Sequence, residues 1–173
     1  KKLLMDIKEL IETIRLDNDC IIKPPKTAIS LPDNLPDDLK IFFELTYGVT
    51  LFGEEAYGIE IVSRQDFIPT NKYLYPKDDV IWEELEGEVS NEWYLIAKAD
   101  EISQYISIDL TDERKGQCYD SFYETHSLEG DSPVIARNFT ELLTRLYQHK
   151  GEHWYWLQGD FEQLGDAYDE PVI

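Results

Sequence analysis

The groups in this chain best suited to acid–base, nucleophilic or metal chemistry are three histidines and two cysteines, and their spacing supports none of it. His149 and His153 stand four apart, but Gly151 lies between them and no glutamate occupies the position a zinc-protease helix requires. His126 falls in an expected loop beside Glu124 and Glu129, where a pH-dependent surface pair could form; a general base would also need an oriented partner. Cys20 and Cys118 lack metal-type or redox-type spacing and have no neighbouring histidine, which points to reduced thiols in a cytoplasmic protein. No serine sits in a G-x-S-x-G elbow, and no glycine-rich phosphate cradle is present. In a chain with 36 acids, neighbouring carboxylates such as Glu54 with Glu55 or Glu83 with Glu86 are not diagnostic of glycoside chemistry. Asp109, Asp112 and Glu113 lack the aspartate and glycine pattern of an EF-hand and read as a solvated turn. Asn138-Phe139-Thr140 reads as a helix cap rather than a glycosylation acceptor. A protein without catalytic groups, metal or cofactor is expected.

The charge balance is more informative. Sixteen basic against 36 acidic residues give a net charge of −20, which repels phosphate backbones and anionic lipid and makes direct nucleic-acid or membrane binding unexpected. Spread evenly, this charge would place only about two net charges on an interface half of about 800 Å². Two runs exceed that. Between Lys77 and Lys98 no basic residue interrupts Glu83, Glu84, Glu86, Glu88 and Glu92, which are interleaved with Trp82 and Trp93; after Lys150, six acids follow without a cation. Such runs are solvated faces or surfaces matched to a basic protein.

The elements that position these residues can be read from periodicity. Leu3 or Leu4, Ile7, Leu10 or Ile11 and Ile14 recur at helical spacing and predict a first helix. Prolines 24, 25, 32 and 36 mark the stretch to Pro36 as a connector. A second helix is predicted from Pro36 through Leu39, Phe42 and Phe43, closed by Gly48. Period-two alternation around Ile59 and Ile61 predicts a hairpin or bent strand pair. Ser63 with Asp66 resembles a capping box for a short helix towards Leu74, interrupted by Pro69. Strands are predicted over 93–99, 105–110 and 117–123, with Ile106, Ile108 and Leu110 on one face, and a last helix from Asn138 that Gly151 ends. The order implies one α+β domain, an antiparallel meander backed by helices, over 1–150. Residues 151–173, rich in aromatics and acids, are expected to dock on it as an extension.

These pieces resemble, in order, the SUKH superfamily, which includes fungal cell-wall assembly regulators of the Smi/Knr type and many bacterial immunity proteins. The resemblance runs over about residues 3–150 and rests on Leu35-Pro36-Asp37-Asp38-Leu39-Lys40-Ile41-Phe42-Phe43 leading to Tyr47-Gly48, the passage from Ile59 to Phe67, Trp93-Tyr94-Leu95-Ile96-Ala97, Tyr105-Ile106-Ser107-Ile108-Asp109-Leu110, and Ile135-Ala136 before Asn138-Phe139-Thr140-Glu141-Leu142-Leu143. It departs from the family at Asp100-Glu101-Ile102-Ser103-Gln104, where a glycine-containing turn is usual. The resemblance implies no shared catalytic constellation. It implies an immunity protein, an antitoxin that binds and neutralises a cognate toxin domain, in many relatives a nuclease; the alternative is a regulatory scaffold that binds several client proteins. An acidic surface would suit the cationic face of a nuclease. The expected contacts are Glu54, Glu55, Tyr57, Trp82, Glu83, Glu84, Glu86, Glu88 and Glu92, aromatics supplying burial and acids setting orientation and encounter rate.

Overall fold

A computed structural model describes residues 5–26, 30–77 and 87–171. Helix α1 (Ile7–Arg15) starts where the Asp6 carboxylate accepts the backbone N–H of Lys8 and Glu9 at 2.9 and 3.0 Å. That satisfies two of the donors a helix start leaves open, and Ile7, Leu10, Ile11 and Ile14 form its buried face. Helix α2 (Asp37–Leu45) has Pro36 as its cap residue and two aspartates in the first turn, and it buries Leu39, Phe42 and Phe43. It ends before Gly48, whose role is different from the expected stop. At φ +96° this glycine enters strand β2 with the Ile61 carbonyl only 3.1 Å from where a Cβ would lie.

Seven strands follow one another in space as in sequence: β1 (Cys20–Ile22), β2 (Val49–Leu51), β3 (Ile59–Ile61), β4 (Trp93–Ala99), β5 (Gln104–Asp109), β6 (Cys118–Asp120) and β7 (Val134–Ala136), every neighbouring pair antiparallel. The fold is the expected α+β meander. β1 and β7 were not read as strands; each is three residues long, too short to show alternation, and β1 lies inside the proline-rich connector. The short helix after Ser63 splits at Pro69, as the ring requires, into a single 3-10 turn (Arg64–Asp66) and helix α3 (Thr70–Leu74). Ser63 makes no side-chain cap. Helix α4 (Phe139–Gln148) is capped by Asn138, whose carbonyl oxygen accepts Glu141 N–H at 2.8 Å.

The core joins the inner faces of α1, α2 and α4 to the sheet, and Phe42, Phe43, Phe67 and Phe139 meet edge to face with centroids 4.8–5.6 Å apart. β5 is buried on both faces rather than one. Its second face carries hydroxyls that satisfy one another, Ser107 Oγ lying 2.7 Å from Thr70 Oγ1 and 2.6 Å from Ser121 Oγ. Two edges remain. At β7 the tail closes the edge, with Val134 N–H on the Gly165 carbonyl and Ala167 N–H on the Ser132 carbonyl, both at 2.9 Å. At β1 the strand gives way within two residues to Pro24 and Pro25.

Candidate protein-binding face

Three connections meet at one end of the sheet: the β2–β3 loop, the β4–β5 turn and the segment after α4. The first is tightly wound. Phe52 adopts φ +53°, Glu55 N–H donates to the Phe52 carbonyl at 3.0 Å and Gly58 N–H to the Glu55 carbonyl at 3.1 Å. A Cβ on Gly58 would lie 2.2 Å from the Phe52 carbonyl oxygen, so only glycine closes this loop. Gly151, at φ +72°, docks the loop on the end of α4: its carbonyl accepts Tyr57 N–H at 3.1 Å, and a Cβ there would meet the Cβ atoms of Glu55 and Phe52 at 2.8 and 2.9 Å. The β4–β5 turn is a 3-10 turn (Asp100–Ile102) followed by Ser103 at φ +55°. A serine thus takes a left-handed position that favours glycine.

Against this frame the aromatic tail builds a wall. Tyr57 meets Trp154 edge-on with centroids 5.1 Å apart, and Trp154 stacks on Trp156 at 5.2 Å with ring planes 14° apart. Trp156 Nε1 donates to Asp120 Oδ2 at 3.0 Å, and Asp120 Oδ1 accepts Gln104 Nε2 at 2.7 Å and Phe122 N–H at 2.9 Å. Between these groups runs an open groove of about 610 Å³, bordered by Tyr57, Ile102, Phe122, Trp154 and Leu157 with Gln104 and Asp120 also lining it. Ile102 and Leu157 leave 42% and 66% of their surface in solvent, a concentration of exposed apolar side chains that folding alone does not require. A smaller cleft of about 230 Å³ shares Ala56 and Ile102 with the groove and brings Glu55, Glu60, Asp100 and Glu101 to its edge. Asp100 accepts Tyr105 Oη at 2.9 Å and Tyr73 Oη at 3.0 Å. Burial, and then the Asp100 carboxylate, push both phenols up, so each remains a neutral donor at pH 7.

The expected contact residues divide between two places. Glu54, Glu55 and Tyr57 lie together in the β2–β3 loop at this face. Glu88 and Glu92 lie before β4, whose seven residues span about 20 Å and end at the Asp100 turn. Glu92 is exposed, whereas Glu88 is half-buried and accepts Tyr168 Oη at 2.6 Å. Trp82, Glu83, Glu84 and Glu86 lie outside the described residues. Phe122 and Leu157 had no local signal; they meet only once distant segments of the chain come together. Ile102, an isoleucine at a turn tip, was the one hint.

Two expectations for the remaining chemistry are corrected. His126 is no surface partner of Glu124 or Glu129: it is buried against Trp93, with Nε2 2.6 Å from Asn71 Oδ1. Asn71 Nδ2 faces Ser90 Oγ and Asn91 Oδ1, which orients the amide and makes His126 Nε2 the donor. Desolvation lowers the imidazole to about 4, so it is neutral at pH 7. Asp109 does not belong to a solvated turn either; it is buried and accepts Tyr119 Oη and both donors of Thr111. His149 and His153 bond each other at 2.8 Å. Both cysteines are free and buried, and burial raises their thiols, leaving Cys20 at about 11. Among the described residues no group of three or more His, Cys, Asp and Glu could hold a metal ion, and no helix is long and apolar enough to cross a membrane.

The face therefore presents apolar tips together with the carboxylates of Glu54, Glu55 and Glu101, which form no side-chain hydrogen bond or ion pair among the described residues. The chain is 39% identical over 167 residues, 95% of its length and 97% of the relative's, to a Bacillus subtilis (strain 168) protein named immunity protein YokJ. Residues 31–145, from the approach to α2 into α4, match the model of the SMI1 / KNR4 family (SUKH-1). The chain belongs to the SMI1/KNR4 family.

Proposed function

We propose that this protein is a non-enzymatic immunity protein of the cytoplasm, which binds a cognate toxin domain and blocks it. The observation that carries the reading is the likeness to an immunity protein over 95% of this chain and 97% of the relative. The loop end of the sheet is the contact surface: Tyr57, Ile102 and Leu157 supply apolar area, and Glu54, Glu55 and Glu101 form a charged rim. The toxin is a nuclease. A nuclease gathers cations where phosphate docks, and a binder of net charge −20 meets such a surface quickly and covers it. Glu88 and Glu92, with the acidic run that precedes them, add to the long-range field.

Co-expression with the toxin domain encoded beside the gene tests this. The two chains are expected to co-purify at low salt, and the complex to lose nuclease activity in proportion to bound protein. A toxin domain that stays fully active with excess protein, or substrate turnover by the purified protein abolished by one side-chain replacement in a folded variant, would overturn the reading. Capture of several unrelated clients and no toxin would instead favour a regulatory scaffold.

A further inference from the structure

The groove beside Trp154 has a feature that an ordinary apolar recess lacks. Asp120 lines it without a cation: no lysine or arginine borders the groove, and the carboxylate forms no ion pair among the described residues. Three donors already reach it, from Gln104, Phe122 and Trp156, while a carboxylate offers about four acceptor positions. One remains. A purely apolar side chain entering here would cover this charge and leave it uncompensated, which is costly. A cation would be matched twice, by the carboxylate and by the aromatic rings of Tyr57, Trp154 and Phe122 that border the groove. A planar guanidinium uses both at once, stacking on a ring while one N–H reaches the oxygen; a compact ammonium cannot stack.

We propose that this groove receives an arginine side chain of the protein partner, seated between the Trp154 wall, Leu157 and Asp120. The inference deepens the immunity reading and rests on it for the identity of the partner as a toxin. The net charge favours the same occupant, and the exposed Ile102 and Leu157 at the rim would exclude water around it, as surrounding residues do at an interface anchor.

The test is to titrate the full chain with N-acetyl-arginine amide, and in parallel with the corresponding lysine and leucine amides, while following the indole N–H signals of Trp154 and Trp156 by NMR. The arginine amide is expected to shift both signals saturably and the leucine amide to leave them unchanged. Asp120→Asn is expected to weaken binding about tenfold or more. Because that change could loosen the Trp156 contact, Leu157→Lys at the exposed rim serves as the second variant; it keeps the fold and places a competing cation over the groove, which is expected to abolish the shifts. No shift with the arginine amide, an equal response to the lysine or leucine amide, or full binding by folded Leu157→Lys would overturn the proposal. The two readings fail separately. Arginine amide binding with no toxin captured removes the immunity reading alone, and a toxin held equally well by Leu157→Lys removes the groove alone.

Discussion

The carboxylates of the β2–β3 loop and those beside the start of β4 and along the β7 edge differ in what they are already doing. Glu54 and Glu55 form no side-chain hydrogen bond or ion pair among the described residues. By contrast, Glu88 accepts Tyr168 Oη, Asp109 accepts Tyr119 and Thr111, and Asp166 accepts the backbone N–H groups of Ser132, Gly130 and Tyr168. Asp169 in turn accepts Asp166 N–H. A net charge counts acids; hydrogen-bond satisfaction says which of them a partner can use. In the acidic tail, Asp166 and Asp169 are backbone clasps, which takes two of its six acids out of any docking surface.

The comparison breaks most visibly if the tail is removed. Ending the chain after Lys150 deletes Trp154, Tyr155, Trp156 and Phe161 from the main core, and at roughly 3 kcal/mol or more for each large aromatic the loss is comparable to the usual total of about 5–15 kcal/mol. Loss of a cooperative thermal transition, read by near-ultraviolet circular dichroism, is expected; a folded remnant would make the tail a separable extension.

The second prediction concerns pH at the start of β4. His126 stays neutral in the fold down to about pH 4, while the unfolded chain takes up a proton near 6.5. Stability from this site is therefore complete above pH 6.5 and falls as pH drops towards 4, by roughly 3 kcal/mol. Urea unfolding of wild type and His126→Gln across that window checks it: the variant is expected to lack this part of the pH slope.

A smaller effect is expected for Gly151→Ala, which places a Cβ against Glu55 and Phe52 at a positive φ. A cost of about 2 kcal/mol in urea unfolding is expected, together with weaker partner binding because the loop bearing Tyr57 is displaced. Smallest, and most direct, is the contrast between acids. Tyr168→Phe removes the donor to Glu88 and should cost about 1 kcal/mol, whereas Glu54→Gln with Glu55→Gln should change stability by no more than about 0.5 kcal/mol while slowing association with the partner. Equal stability losses for the two variants would erase the distinction between occupied and open carboxylates.

Long or strongly patterned elements were legible in the sequence. The apolar face of α1, the strand from Trp93 to Ala99 and the Asn138 cap follow from local spacing and local hydrogen bonding, and the structure places them where that spacing puts them. The strands β1 and β7 were not legible, because they exist only through pairing with neighbours, whereas β3 and β6, equally short, lie within the predicted strands. His126 was misread for a related reason: its neighbours Glu124 and Glu129 suggest a surface, while its environment comes from Asn71 and Trp93, far away in the chain. Tyr57 and its adjoining glutamates could be proposed from residue type. The groove could not, since Ile102, Phe122 and Leu157 converge only after the meander and the tail are both in place.

An open meander has two flanks at which a further strand from another molecule could add. Here one flank is occupied by the chain's own C-terminal segment, and the other gives way to Pro24 and Pro25, whose imino nitrogens have nothing to donate. A sheet whose sides offer copies of itself so little purchase can accumulate without polymerising.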